Sequence, residues 1–365
     1  VNQLLSENAK EGYLEEIRRD YEKTRARFEG KAERKMLPIS GARLKGLKTE
    51  SFEEHIRPPA KPGVHVLANY PLSEIATRID WTPFFHAWEM KGSYPRILND
   101  PHKGTEARKL FSDAEEMLSE IMKNESLVAK GVLGIFPANR VGDDIELYAD
   151  EKRDETLGTF HCLRQQTLRA GSAPHLSLAD YIANKDSGTP DYIGAFVVTT
   201  GIGLEKLADE YEADGDDYSS IMVKALADRL AEAFAELLHE RLRKEFWGYA
   251  LDEDLDNQAL IKGEYTGIRP APGYPACPDH REKTLIWELL EAEKNTGAYL
   301  TESYAMAPAA SVSGFYFSHP EARYFGVGAV GRDQVKDYAA RRGESLAENE
   351  KWLSPNLGYQ TTESD

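Results

Sequence analysis

Between Arg269 and His280 the chain reads Arg-Pro-Ala-Pro-Gly-Tyr-Pro-Ala-Cys-Pro-Asp-His, with four prolines in the nine residues from 270 to 278. No helix and no central strand can hold such a run, because each proline fixes φ and lacks an N–H donor. The residues that precede the prolines, Arg269, Ala271, Tyr274 and Cys277, are pushed toward extended or polyproline II geometry. The segment is therefore stiff before any ligand arrives, and ordering it costs little entropy. Gly273 can bring the backbone close to a partner or take a positive φ. Arg269 carries a forked cation suited to a carboxylate or phosphate, and Tyr274 an aromatic face with a polar tip. Rigid loops also serve merely as connections, and the residues alone leave both readings open.

A chain of 365 residues, 41% of them hydrophobic, can bury a large core as one big domain or two small ones. Its net charge of −17 argues against broad nucleic-acid binding and against anionic membrane surfaces. No apolar run approaches the roughly 20 residues that span a bilayer, and the N-terminus has no signal-peptide pattern. Two cysteines, Cys162 and Cys277, are too few for a disulfide scaffold and point to a reducing, cytoplasmic setting. The start at Val1 reads as the cut end of a larger polypeptide.

Residues 1 to 34 are highly charged, with Leu14, Ile17, Tyr21 and Phe28 at helical spacing, and predict a solvated helix with one apolar stripe. Residues 35 to 63 read as an irregular linker with Pro38, Pro58, Pro59 and Pro62. The globular body is expected from 64 to 365. Helices are predicted over 71–80, 105–123 and 218–246, with a further helix around Ile286 to Leu290 that ends near Gly297. In the long helix, Met222, Leu226, Leu230, Phe234, Leu237 and Phe246 form the apolar face. Asp228, Glu232, Glu236, His239 and Arg243 lie off it, with His239 read as an exposed or rim side chain. Strands are predicted over 132–136, 145–148, 160–163, 192–199, 313–317 and 324–329, the first two joined by a turn at Gly142-Asp143-Asp144. Two short helices close the chain, the second opened by a capping box of Ser345 with Glu348. The expected fold class is α+β: one large domain with a mostly antiparallel twisted sheet flanked by helices, preceded by a helical arm.

The string RPAPGYPACPDHREK at 269–283 resembles the signature of the activation domain of cobalamin-dependent methionine synthase. IDWTPFF (79–85), FPANRVGDDIE (136–146), IMVKALADRLAEAFAE (221–236), LTESYAMAPAASVSGFYFSHP (300–320) and WLSPNLGY (352–359) agree in order along the chain. The resemblance covers roughly residues 66 to 359. It implies a module that binds S-adenosylmethionine and supplies its methyl group when inactive cob(II)alamin is reductively remethylated, with an electron from flavodoxin or an equivalent donor. The cobalamin would be carried by a neighbouring domain absent from this chain, and residues 1–63 would be the arm and linker leaving that domain. Such a fragment is a methyltransferase component that does not complete methionine formation alone, since the Asp-x-His-x-x-Gly cobalamin signature and the homocysteine and folate modules are missing.

S-adenosylmethionine carries a carboxylate, an ammonium, a sulfonium, a ribose diol and an adenine. A site for it wants an Arg, an acid, backbone groups, and aromatic or carbonyl surfaces. By resemblance, Arg269 takes the carboxylate, the loop backbone at Ala271 and Gly273 the adenosyl part, and Tyr274 a place near the methyl group and the corrin. Asp80 matches an acidic contact; the plain alternative is an ordinary Asp ending a helix, a place where a negative charge is electrostatically unfavourable. Tyr324 and Phe325 match a contacting aromatic pair. Side-chain alternation in a strand would send one to the core and one to the ligand. Glu232 either adds negative potential toward the sulfonium or belongs to a solvated helix face. The resemblance implies no catalytic side chain and no metal.

Other signals are weaker. Val197 to Gly203 followed by Leu204 to Leu207 imitates a strand–glycine–helix nucleotide turn, but Lys206 stands where a third glycine is needed. A free-standing nucleotide-fold methyltransferase would require a parallel sheet. Cys277 and His280 are too few for a closed zinc site and read as loop packing. A purely regulatory S-adenosylmethionine sensor or docking module remains the alternative of a different class.

Overall fold

The computed structural model describes residues 10–29, 35–48, 52–169 and 171–361. Packing divides the chain into two units, residues 47–163 with 176–326, and residues 1–46 with 164–175 and 327–365.

The larger unit is built on a sheet whose strands run in chain order as β1 (Gly63–Tyr70), β2 (Val128–Val141), β3 (Asp144–Tyr148), β4 (Thr156–His161) and β5 (Asp191–Ile202). A two-stranded ribbon, β6 (Tyr299–Leu300) with β7 (Met306–Ala307), precedes the last strand, β8 (Ser311–Tyr316). The main sheet has the order β4-β3-β2-β5-β8, with β1 also on β2, and every pairing is antiparallel. Fourteen-residue β2 is the spine. Along one edge it pairs with β1 up to Ile135 and with β3 from Ala138, so Pro137, which has no N–H to give, falls in the gap between them.

Both faces of the spine are covered, so its sequence is a continuous apolar run rather than an alternating one. Leu133 and Ile135 of β2, with Phe196 and Val198 of β5, face a core shared with the helices Gly104–Asn124, Leu204–Ala213 and Asp217–Arg241. Val132 and Phe136, with Ile193, Ala195 and Val197, face a second core closed by Phe160, Ile286, Leu290, Phe315 and Phe317. The antiparallel sheet with helices on it is the α+β arrangement expected, and it excludes the parallel nucleotide-fold reading. Gly203 starts the Leu204–Ala213 helix at φ +93°, and a Cβ there would lie 2.5 Å from the Ser126 carbonyl oxygen. Gly201 packs equally tightly on Pro308, so both glycines serve chain packing.

Several expected elements are redrawn. The helix predicted over 71–80 stops at Leu72–Ala76, because Ile79 turns into the core, and a separate short helix, Thr82–Ala87, follows that was not expected. No strand exists at 324–329, because the chain runs there as extended loop without a ladder partner. Phe317, predicted as strand, instead makes a bridge with Ile268. The long helix switches to a π turn at Leu242–Phe246.

The smaller unit has the charged helix Lys10–Glu29, with Leu14 and Ile17 half-buried and Tyr21 exposed. The rest of the charged segment, 1–9 and 30–34, lies outside the described residues. Gln334, on the helix Arg332–Arg342, exchanges side-chain hydrogen bonds with the backbone of Arg164 at 2.7 and 2.9 Å. Gln166 bonds to Leu37 and Gly331 in the same way. Arg43, on the helix Ile39–Leu44, pairs with both oxygens of Asp337 at 3.1 and 2.6 Å. Ser345 caps the closing helix Leu346–Trp352 by accepting from the Glu348 N–H.

Candidate functional site

The proline-dense loop is laid along the outer edge of β8. Ile268 and Phe317 exchange both backbone hydrogen bonds at 3.0 Å, and the Phe315 N–H donates to the Pro270 carbonyl at 2.8 Å. Prolines are tolerated here because an edge asks for acceptors on one side only. Gly314 admits the approach, since a Cβ on it would come within 2.6 Å of the Pro270 oxygen. Past Pro270 the chain folds on itself. Tyr274 N–H donates to Ala271, Cys277 N–H to Tyr274, and Gly273 N–H to Cys277 at 2.7 Å. Gly273 has φ +95°, and a Cβ there would lie 2.5 Å from the His280 ring nitrogen Nδ1. That ring is held by Lys283, whose Nζ lies 2.8 Å from Nδ1 and also donates to the Tyr304 carbonyl. Burial pulls Lys283 below its ordinary value, and burial, then the charge of Lys283, pulls His280 down likewise.

Fixing residues 268–270 on β8 fixes the root of the Arg269 side chain. Its backbone N–H donates to the Tyr324 hydroxyl at 3.1 Å. Its guanidinium reaches the long helix Asp217–Arg241, where Nη2 donates to Glu236 Oε2 at 2.6 Å and Nη1 to His239 Nδ1 at 3.2 Å. Nη1 also donates to the Tyr265 hydroxyl at 2.5 Å. Burial works against the guanidinium's charge, but Glu236, Tyr265 and Tyr324 together more than offset that and Arg269 stays cationic. His239 is completely buried, its ring stacked on Tyr316 at 5.0 Å. Burial, with the cations Arg243 and Arg269, holds it neutral well below its ordinary value, as an Nδ1 acceptor requires. Arg243 lies over the Tyr265 ring at 4.1 Å and pairs with Glu253 at 2.6 and 2.8 Å.

Arg269, Tyr324, Glu236 and Tyr265 line a cavity of about 490 Å³, closed further by Leu260 to Gly263, Gly267, Ile268, Ala322 and Arg323. Of the residues singled out by sequence, Arg269 and Tyr324 meet at this cavity. Ala271, Gly273 and Tyr274 are on the adjoining turn, where the Tyr274 ring is 63% exposed. Phe325 points the other way, packing edge-on against Tyr181 at 6.4 Å, while Tyr324 is 56% exposed. Asp80 is half-buried and outside the cavity lining. It does not end a helix, as expected, but precedes one, accepting the Thr82 N–H at 2.9 Å where a negative charge is favoured.

The anchors of Arg269 are not evident from the sequence. Glu236, His239 and Arg243 stand at i, i+3 and i+7 on the long helix and were placed on a polar face, with His239 at the rim. These three are buried, because the Arg269 loop and Tyr265 cover them, whereas Asp228 and Glu232 of the same polar set are exposed. The one legible signal was an acid, a histidine and an arginine sharing one stripe of an otherwise apolar helix.

Residues 71–343 match the model of the vitamin B12 dependent methionine synthase activation domain. A crystal structure of the MetH reactivation domain bound to AdoHcy is 53% identical, with a TM-score of 0.87 over 89% of this chain and 99% of that one.

Proposed function

The chain belongs to the vitamin B12 dependent methionine synthase activation domain family, and we propose that it binds S-adenosylmethionine at the Arg269 cavity and offers its methyl group to cobalamin. AdoHcy, bound in the similar crystal structure, is what S-adenosylmethionine leaves behind when it gives up that methyl group. The observation that carries the reading is the placement of Arg269: a cation rooted on β8, at the wall of a cavity sized for a small ligand, beside a stiff loop with exposed Tyr274.

In this reading Arg269 takes the methionyl carboxylate, and the backbone at Ala271 and Gly273 takes the adenosyl part. Tyr324 forms an aromatic wall toward the ligand, and Phe325, turned the other way, secures the loop to the core. Asp80 serves the ammonium. Tyr274 and Tyr324 present exposed aromatic faces, which suit a flat macrocycle approaching from outside. Cobalamin, held by a neighbouring domain of the same polypeptide and reduced by an electron from flavodoxin or an equivalent donor, supplies the nucleophile that accepts the methyl group. This chain's residues contribute position, charge and exclusion of water rather than acid–base chemistry. Residues 1–63 are then the arm and linker from that neighbour, residues 64–365 the S-adenosylmethionine-binding part, and the setting cytoplasmic. Among the described residues no helix is long and apolar enough to cross a membrane.

The test supplies the 365-residue chain with S-adenosylmethionine and chemically reduced cobalamin. Methyl transfer, with one AdoHcy released per methyl moved and faster than the protein-free reaction, supports the reading. Tight binding without transfer would reduce the domain to a sensor.

A further inference from the structure

Glu236 is 6% exposed, holds Arg269 through Oε2 alone, and leaves Oε1 buried without a hydrogen-bond partner. A half-satisfied buried carboxylate is a poor stabilising device, because burying a charge is costly unless its lone pairs are met. It persists here beside two further anchors on the same guanidinium. Nη1 spends its two N–H groups on His239 and Tyr265, and Nη2 spends one on Glu236. Arg269 has five N–H donors in a rigid fork. The anchors therefore leave two donors, the Nε–H and one Nη2–H, on the two nitrogens whose shared edge a carboxylate accepts side by side.

We infer that Glu236, with Tyr265 and His239 behind it, is a positioning element that fixes the Arg269 fork so its Nε–Nη2 edge faces the ligand carboxylate. Glu236 touches no ligand in this account and acts only through Arg269. The chemistry it selects is an α-carboxylate on the adenosyl ligand. The inference rests on S-adenosylmethionine binding at this cavity, as proposed above. His239 contributes as a neutral acceptor. The groups facing it are Arg269, Arg243, Tyr265 and Tyr316, and burial, then the two cations, holds it unprotonated.

The experiment titrates the full chain with S-adenosylmethionine and with its decarboxylated analogue, which keeps the sulfonium, ammonium and adenosyl groups. Glu236→Ala is expected to lower affinity for S-adenosylmethionine about tenfold, the loss of a well-placed charge-assisted contact. Affinity for the decarboxylated analogue should stay within about twofold, and Glu236→Gln, which keeps an acceptor for Nη2, should restore most of the loss. In an Arg269→Ala background Glu236→Ala should have no further effect, since the two act as one unit. Equal loss of both ligands, or full affinity in Glu236→Ala, overturns the inference. Should Glu236→Ala fail to fold, Tyr265→Phe, which removes an Nη1 acceptor only, must show the same carboxylate-selective loss, and an unselective loss would overturn it as well. A wild-type chain that binds neither ligand defeats the functional reading itself. A wild type that binds, and is weakened by Arg269→Ala but not by Glu236→Ala, defeats only this inference.

Discussion

Replacing Gly273 with Ala perturbs the proline-dense loop by two separable routes. The first is conformational: φ +95° is a backbone state that a Cβ disfavours, at about 1–2 kcal/mol. The second is steric. The new Cβ would lie 2.5 Å from His280 Nδ1, well inside contact distance, so the ring must leave. His280 is on the exposed side and can swing out, but in doing so it abandons the 2.8 Å hydrogen bond from Lys283. Lys283 is buried and keeps only the Tyr304 carbonyl, a loss of about 1 kcal/mol. The two routes together come to about 2–3 kcal/mol. A double-mutant cycle on the 365-residue chain, followed by chemical denaturation, separates them. In a His280→Ala background the steric route is already gone, so Gly273→Ala should cost only the conformational part, a coupling of about 1 kcal/mol. An unchanged cost with and without His280 would refute the contact, and no cost in either background would refute the positive φ.

Arg243→Met strands Glu253 as a buried unpaired carboxylate and is expected to cost about 3–5 kcal/mol in unfolding experiments. Gly203→Val, at φ +93° and against the Ser126 carbonyl, should lose folded yield, while any folded fraction binds S-adenosylmethionine normally by calorimetry. Burial raises Asp191 from its ordinary value of 3.8 to about 7, against the hydrogen bonds it accepts from the Ala183 and Tyr192 N–H groups. The folded chain therefore holds that proton up to about pH 7, whereas the unfolded chain releases it near 4. The associated stability is full below about pH 4 and is lost as pH rises to about 7. Asp191→Asn should flatten the fall of the unfolding temperature over that window, and an unaltered slope would contradict the shift.

What was legible in the sequence was local. The β2–β3 hairpin followed from Gly142-Asp143 between apolar runs, and the turn is closed by the Val141–Asp144 pairing with Gly142 at φ +64°. The 21-residue helix Gly104–Asn124 and the long helix announced themselves by periodicity, and Ser345 by its cap. What was not legible depends on partners far along the chain. Tyr324 and Phe325 look like strand residues by composition, yet Tyr324 is committed to Arg269, 55 residues earlier, and Phe325 to Tyr181. Glu236, His239 and Arg243 are polar residues on a helix and read as solvated. Their burial follows only from the return of Arg269, 33 residues after Glu236. Asp80 was assigned to the wrong end of a helix because Ile79 breaks the run by entering the core. The proline loop is the exception: its composition excluded a helix and a central strand, and beyond the β8 edge it makes only the Tyr274–Cys277 bridge before a short 3-10 turn at His280–Glu282.

The most direct test is a calorimetric titration of the 365-residue chain with S-adenosylmethionine, with Arg269→Ala and Asp80→Ala alongside. The account predicts saturable one-to-one binding by the wild type, weakened by about 1–3 kcal/mol on losing the charge-assisted partner at Arg269 and by a measurable amount at Asp80. A folded Arg269→Ala variant that binds as tightly as the wild type would contradict it.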